Sequence, residues 1–127
     1  LAGFLLGASP GIHVWGGEPT VRLPAHPGRG GRNQHLALAA AGVIGGRADV
    51  LLLSAGTDGR DGPGEDAGGL VDGDTAARGR LAGLDLAGSL SAAASGEFQE
   101  ASGDLVHTGA TGTNVMDLVI GWKGPPA

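Results

Sequence analysis

A threonine-rich segment between two apolar runs places the strongest constraint on how this chain folds. Residues 108 to 117 read Thr-Gly-Ala-Thr-Gly-Thr-Asn-Val-Met-Asp, with three threonines and two glycines. Glycine brings backbone N–H groups close to a ligand, and threonine hydroxyls and asparagine amides supply neutral hydrogen bonds. The segment therefore predicts a loop that binds a small oxygen-rich anion or a metal-bound phosphate. The alternative is a polar hairpin turn between two buried strands.

A second polar segment, residues 28 to 34, reads Gly-Arg-Gly-Gly-Arg-Asn-Gln and runs into an apolar stretch with helical spacing from Asn33 to Ile44. A helix start offers unpaired N–H groups and the positive end of the helix dipole, and Arg29 and Arg32 add two guanidinium groups. This combination predicts a site for phosphate or carboxylate. The alternative is a glycine turn with Asn33 as the N-cap and both arginines in solvent.

A third polar segment, residues 54 to 66, follows the short apolar run Val50–Leu53, which we predict as a buried strand. Ligands of open α/β sheets bind beyond the carboxyl ends of strands, which is where Thr57, Asp58 and Asp61 would lie. The two aspartates would hold magnesium, accept a proton or orient a substrate hydroxyl. Alternatively they are turn residues, because Asp and Gly are favoured in turns.

Composition limits the class of protein. A chain of 127 residues forms one domain with its own core, and its 27 glycines lack the three-residue period of collagen. The net charge of −5 argues against a nucleic-acid partner. The chain has no cysteine, and its four histidines lack metal-ligand spacing, which argues against zinc. No apolar run reaches the length of a membrane span, so we expect a cytoplasmic protein with no membrane partner.

The pattern of apolar runs predicts the α/β class: one domain with a mixed sheet flanked by helices and an N-terminal hairpin around Gly16-Gly17. Further helices are expected near residues 75–81 and 86–94, a turn near 97–101, and strands at 105–106 and 115–122. We assign residues 1–10 to a lead-in, 11–122 to the domain and 123–127 to a tail.

Common catalytic motifs are absent from the sequence. There is no phosphate-binding Gly-x-x-x-x-Gly-Lys-Ser/Thr loop, and the only lysine is Lys123. Asn33 stands where the dinucleotide fingerprint requires glycine, and no Gly-x-Ser-x-Gly elbow supplies a serine nucleophile. Positioning groups without an evident nucleophile are what phosphoryl transfer requires of a protein.

Four blocks together resemble the MOFRL family, the C-terminal domain of glycerate 2-kinases that are often labelled hydroxypyruvate reductase. They are Gly16-Gly-Glu18, the Gly28–Gln34 segment, Gly56-Thr-Asp-Gly-Arg-Asp-Gly-Pro63 and the Thr108–Asp117 segment. The resemblance covers most of the chain from Gly11 to Trp122. It implies ATP-dependent phosphorylation of D-glycerate, with Mg²⁺, in a cleft shared with a larger N-terminal domain. That domain carries a catalytic lysine in the family and binds most of the ATP and Mg²⁺.

Carried over to this chain, the resemblance implies that Arg32 stabilises the phosphoryl group and that Asp58 orients or deprotonates the glycerate hydroxyl. The expected substrate-binding residues are Glu18, Gly30, Gly31, Asn33, Thr57, Asp61, Thr108, Thr111, Gly112, Thr113, Asn114 and Asp117. The residues do not identify metal ligands.

This chain departs from the family pattern at three places. Ala110 replaces a usual proline, His35 replaces a common glutamate, and an expected acidic-aromatic motif is reduced to Ser95-Gly-Glu-Phe98. We expect the isolated chain to be inactive or nearly so. One alternative is a non-catalytic module that binds a small hydroxy acid or phosphate. A weaker one is hydride transfer to hydroxypyruvate, because the nucleotide fingerprint is missing.

Overall fold

The computed structural model describes residues 1–17 and 28–125. The elements in chain order are α1 (Ala2–Leu6), β1 (Gly11–Gly17), α2 (Arg32–Val43), β2 (Val50–Gly56), β3 (Gly68–Asp72), α3 (Thr75–Leu81), α4 (Leu86–Ser91), α5 (Ser95–Ser102), β4 (Leu105–Val106) and β5 (Asp117–Lys123).

The five strands form one sheet in the order β1-β5-β2-β3-β4. The predicted α/β class, with one sheet and packed helices in a single domain, is confirmed. Each neighbouring pair of described strands is antiparallel, where a mixed sheet was expected. Gly16 and Gly17, which we predicted as a hairpin turn, instead continue β1 and pair with Leu118 and Asp117. The second arm of that hairpin lies outside the described residues.

Helix α2 forms the centre of the core. Its sequence is rich in alanine and leucine, which favour helix, and its buried side packs against β2 and β3. Ala37, Ala41 and Ile44 of this segment lie against Val50 and Leu52 of β2 in one apolar cluster. The helix thereby places its N-terminus over the carboxyl end of β2.

The first ten residues, which we predicted as a lead-in, are part of this domain. Leu5 of α1 is fully buried in the same cluster as the α2 and β2 side chains. The Lys123 ammonium at the end of β5 donates to the carbonyl oxygens of Leu6 at 2.8 Å and Leu5 at 3.4 Å. Lys123 is itself largely buried, so this contact joins the first helix to the last strand.

Candidate active site

The glycine segment before α2 packs against α5. The backbone N–H of Arg29 donates to Glu97 Oε1 at 2.6 Å, and its carbonyl accepts from Gly96 N at 2.7 Å. The Arg29 guanidinium pairs with Glu100 on the outer side of α5. Gly30 lies against Ser95, where a Cβ would come within 2.4 Å of Oγ. Arg29 therefore points towards α5, although we expected it to face an anion at the start of α2.

The N-terminus of α2 holds a carboxylate that belongs to the chain itself. Asp61 Oδ1 accepts from the backbone N–H of Asn33 at 2.8 Å, and Oδ2 accepts from that of Gln34 at 2.7 Å. A Cβ at Gly31 would lie 2.4 Å from Asp61, so only glycine permits this approach. Burial raises the pKa of Asp61, and the hydrogen bonds from Asn33 and Gln34 oppose that rise. The anion predicted at this helix start is thus an intramolecular one.

Asn33 is fully buried beneath the same helix end. Its amide nitrogen donates to Asp61 Oδ1 at 3.3 Å, and its amide oxygen accepts from the Ser54 hydroxyl at 2.7 Å. Ser54 lies in β2, so this chain of polar contacts fixes α2 to the strand that leads into the acidic loop. Substrate contacts from Asn33, Asp61, Gly30 and Gly31 stay predictions, and the contacts described above are structural.

Arg32 lies in the first turn of α2 and is held from the side by Asp117. Its Nε and Nη2 donate to the two carboxylate oxygens at 2.6 and 3.1 Å. The Asp117 side chain is 2% exposed and that of Arg32 is 33% exposed, so the fixed guanidinium reaches the surface. Two-point pairing of this kind sets the orientation of the planar group. Asp117 was expected to bind substrate, and the structure shows it as the partner of Arg32.

The acidic loop after β2 lies beside this ion pair. Gly56, the last residue of β2, is in register with Asp117, and Thr57 N donates to the Met116 carbonyl at 3.0 Å. Asp58 follows directly, and its Oδ1 accepts from Arg60 N at 2.9 Å. The structure therefore brings Arg32 and Asp58, 26 positions apart, to the same end of the sheet.

Thr57 joins the acidic loop to the threonine loop. Its hydroxyl donates to the Met116 carbonyl at 2.6 Å and accepts from Val115 N at 2.8 Å. The Thr111 hydroxyl donates to the Thr57 carbonyl at 2.5 Å. Met116 has a φ of +70°, which is uncommon outside glycine and indicates that these contacts hold the backbone in place.

A close backbone approach completes the joint between the two loops. Gly59 has a φ of +89°, and a Cβ there would lie 2.0 Å from the Gly109 carbonyl oxygen. Only glycine fits this position, which explains why the acidic loop carries a glycine directly after Asp58.

The remaining polar groups of the threonine loop are exposed. The Thr108 hydroxyl donates to the Gly109 carbonyl at 2.8 Å, and Asn114 Oδ1 accepts from Met116 N at 3.1 Å. Thr113 O accepts from the Thr111 hydroxyl at 3.2 Å, and Gly112 has a φ of +78°. These bonds shape the loop and leave its surface open to solvent. The loop is not the hairpin turn that was the alternative prediction, because β4 and β5 are not neighbours in the sheet. Glu18 lies outside the described residues.

Two pockets border this site. One of about 300 Å³ lies between Trp15 and Leu36 and has Asp117 in its wall. The other, of about 240 Å³, lies between the two loops and is lined by Arg60, Glu65 and His107. The first volume is at the lower end of the range for small-molecule sites, and the second is below it.

The described residues do not form a metal site of their own. Within residues 1–17 and 28–125 there is no group of three His, Asp or Glu side chains that could hold an ion. Asp61 is bonded to a helix end and Asp117 to Arg32, whereas Asp58 is partly exposed and Glu65 lies in the wall of the pocket between the loops. Mg²⁺ binding through one carboxylate and the phosphates of a nucleotide is compatible with this arrangement.

The fold and site define a class: a small α/β domain that presents a fixed guanidinium and a carboxylate beside a hydroxyl-rich loop. The model of the MOFRL family matches residues 11–117. The chain belongs to the MOFRL family, as its polar segments predicted.

Named relatives agree with this assignment. A D-glycerate 2-kinase of Thermotoga maritima is 48% identical over 112 residues, which are 88% of this chain and 27% of the relative. A putative hydroxypyruvate reductase of Agrobacterium vitis is 44% identical over 112 residues, 87% of this chain and 26% of the relative. The crystal structure of a glycerate kinase from Thermotoga maritima superposes with a TM-score of 0.91 at 42% identity, covering 96% of this chain and 31% of that one. This chain thus spans about a quarter to a third of the length of these proteins.

No helix within the described part of the chain is long and apolar enough to cross a membrane.

Proposed function

We propose that this chain is the C-terminal domain of a D-glycerate 2-kinase. It would supply Arg32 and Asp58 to ATP-dependent phosphoryl transfer in a cleft shared with the larger remaining part of such an enzyme. Support comes from the names of relatives that are glycerate kinases, and from the geometry at the end of β2 and the start of β5. The observation that carries the proposal is the two-point pairing of partly exposed Arg32 with buried Asp117 beside the Asp58 loop.

Arg32 would act on the transferred phosphoryl group. Phosphoryl transfer depends on positioning and on stabilising charge spread over the equatorial oxygens. A guanidinium whose orientation is set before the substrate arrives loses little freedom at the moment of reaction. Asp117 reduces the net charge of the pair. It also fixes the orientation of the Arg32 guanidinium at the end of the sheet where the Asp58 loop lies.

Asp58 would act on the acceptor hydroxyl of D-glycerate. It lies in the loop after β2, and one of its oxygens already accepts from Arg60 N, which fixes the orientation of the carboxylate. A carboxylate at this place would accept the hydroxyl proton as the bond to phosphorus forms. The threonine loop, with exposed Thr111 and Thr113, would supply neutral hydrogen bonds to the hydroxy acid.

ATP and Mg²⁺ would be bound mainly by the part of the enzyme outside this domain. The only lysine of the chain, Lys123, is buried against α1 at the opposite end of β5 from Asp117. It is therefore not placed to bind the phosphates of a nucleotide at this site. When bound, Mg²⁺ would neutralise charge on the nucleotide phosphates. The residues of this domain would position the acceptor hydroxyl of D-glycerate and the phosphoryl group that is transferred to it.

A chimera tests the proposal directly. This chain replaces the matching segment of the Thermotoga maritima D-glycerate 2-kinase, and product 2-phosphoglycerate is measured with ATP, Mg²⁺ and D-glycerate. We expect turnover by the chimera and none by the isolated chain. A correctly folded chimera without turnover would reject the kinase role.

The alternatives predict different outcomes in the same preparation. A binding module would take up glycerate or phosphate in calorimetric titrations of the isolated chain while the chimera stays inactive. The hydroxypyruvate reductase named for the Agrobacterium vitis relative would oxidise NADH in the presence of hydroxypyruvate, and we expect no such oxidation because the dinucleotide fingerprint is absent.

A further inference from the structure

One side of the sheet is apolar and carries no helix among residues 1–17 and 28–125. All five described helices contact the other side or one another, with α1 and α2 lying over β2, β3 and β5. The strand register places eight large apolar side chains on the bare side. We call this set the bare face; its members are Ile12, Val14, Leu51, Leu53, Leu70, Leu118, Ile120 and Trp122.

Much of the bare face is open to solvent. Ile12 is 63% exposed, Val14 59%, Leu70 44% and Leu51 37%. No charged residue of β1, β2 or β5 lies among them, because Asp117 and Lys123 point to the helical side. One carboxylate borders the set: Asp72 of β3 lies opposite Leu51 and pairs with Arg78. Contiguous apolar surface shared by four strands is rare on a free domain and marks an interaction site.

The sequence of the two central strands also indicates a covered face. An antiparallel sheet with one solvated side alternates apolar and polar residues, whereas a sheet buried on both sides has nearly continuous apolar runs. Residues 50–53 read Val-Leu-Leu-Leu, and residues 118–120 read Leu-Val-Ile. The positions on the bare side are therefore as apolar as the core positions. A face in contact with solvent would instead have polar residues there.

Continuity with the candidate site identifies what covers the face. Leu118 follows Asp117 directly, and Ala55 precedes Gly56, so the bare face begins at the edge of the site. The relatives have more than two thirds of their length outside the region that this chain matches. A second copy of this chain would cover the face with the region already matched, and would add nothing of the length that the relatives have beyond it.

We propose that the bare face docks an apolar surface of the larger remaining part of a glycerate kinase, which thereby sets the width of the cleft over Arg32 and Asp58. This inference rests on the proposed function, since it takes its partner from the relatives. Docking along the strands would place that part beside the site edge and would exclude water from the eight apolar side chains.

Single-cysteine probes test the docking, because the natural chain has no cysteine. Val14→Cys places a thiol on the bare face, and Leu81→Cys places one at the end of α3, where the side chain is 89% exposed. Both are made in the isolated chain and in the chimera described above, whose other cysteines are changed to serine. Labelling by a maleimide is followed by mass spectrometry.

We expect both thiols to react at similar rates in the isolated chain. In the chimera, Val14→Cys should react at least ~10-fold more slowly while Leu81→Cys is unchanged, because labelling requires an accessible thiolate. Leu70→Cys, on another strand of the bare face, should behave like Val14→Cys and guards against a local artefact. Equal rates for Val14→Cys in the two proteins would overturn the inference.

Two further outcomes separate the possibilities. Protection of Val14→Cys in the isolated chain that increases with protein concentration would identify a second copy as the occupant and would overturn the inference. Kinase activity is measured on the same chimera. If the chimera turns over while the thiol of Val14→Cys still reacts with maleimide, the docking proposal is rejected and the kinase role stands. Protection without turnover rejects the kinase role and leaves the docking face in place.

Discussion

Arg32 depends on a carboxylate that lies 85 positions away in the chain. If it stabilises the transferred phosphoryl group, Arg32→Lys in the chimera should lower kcat by about 10- to 100-fold, because a lysine keeps the charge and loses the two-point geometry. Arg32→Ala should lower kcat by roughly 100- to 1,000-fold, as loss of one transition-state donor does elsewhere. Steady-state rates with saturating D-glycerate measure both.

Arg29 provides a matched control for these variants. It lies in the same glycine segment, but its guanidinium pairs with Glu100 at the surface of α5. Arg29→Ala should leave kcat within about 2-fold, because an exposed ion pair contributes little. Equal losses for Arg29→Ala and Arg32→Ala would show that the segment acts as a whole and that Arg32 has no special part.

His35 makes stability depend on pH. Burial lowers its pKa below the ordinary value of 6.5, and its Nδ1 is buried without a hydrogen-bond partner in the described residues. Below pH 6.5 the unfolded chain therefore binds a proton that the folded chain resists, so the free energy of unfolding should fall as pH falls from 6.5. The slope due to this residue is at most about 1.4 kcal/mol per pH unit.

Replacing His35 checks that sign. His35→Gln should remove this residue's part of the slope below pH 6.5 and leave the slope near pH 8 unchanged, because His35 is neutral there in both states. Urea unfolding of both proteins at several pH values between 5 and 8 gives the comparison. Parallel pH profiles for the variant and the natural chain would show that His35 does not titrate differently on folding.

At the level of elements, the sequence predicted the core of the fold and missed its local exceptions. α2, α3, β2 and β5 were expected within a few residues of their bounds, because each has a clear apolar period or run. β3 was missed, since Gly68 and Gly69 resemble a turn and glycine disfavours strands. α1 has only five residues, too few for a helix without tertiary packing.

The candidate site was predictable as a set of segments and not as a set of contacts. Three polar loops follow or precede apolar runs, which indicated that they meet at one end of a sheet. No local spacing shows that Asp61 would bind the start of α2, or that Asp117 would bind Arg32, because these pairs are joined only by the folded sheet. The sequence therefore predicted Asp61 and Asp117 as substrate-binding residues, and the structure shows both in hydrogen bonds within the protein.

The start of α2 depends on Asp61, and that dependence can be measured. Asp61→Asn keeps one acceptor oxygen and leaves one of the N–H groups of Asn33 and Gln34 without a partner. We expect a loss of about 1–2 kcal/mol in the free energy of unfolding, the cost of an impaired helix cap. In the chimera, kcat should fall more than KM changes, because Arg32 lies in the turn that Asp61 fixes.

Asp85 serves as the comparison for Asp61. It caps the short helix α4 by accepting from Gly88 N at 2.9 Å, at the surface and away from the site. Asp85→Ala removes that cap, so it should cost about 0.5–2 kcal/mol of stability and leave kcat unchanged. If both variants lower kcat alike, the effect follows from general loss of stability and not from the placement of Arg32.

The whole molecule is a sheet with two different faces and one polar end. The helical face contains the core, the bare face is apolar and open, and the loops after β2 and before β5 form the site between them. Under the two proposals above, the site needs a second domain for its chemistry, and the bare face needs one for its burial. A single docked part would satisfy both needs at the shared edge of Ala55 and Leu118.

Lys123 joins the first and last elements of the chain, because its ammonium links α1 to β5. Its ammonium donates to the carbonyls of Leu5, Leu6 and Ala8, and Asp49 Oδ2 lies 3.8 Å away. Lys123→Met fills a similar volume and leaves buried carbonyls without a donor, so we expect a loss of about 1–3 kcal/mol. Urea unfolding of the isolated chain should show a lower midpoint.

Arg80→Met, at an exposed position of α3, should leave the midpoint within experimental error. Equal midpoints for Lys123→Met and the natural chain would show that α1 is held by Leu5 and its apolar neighbours alone.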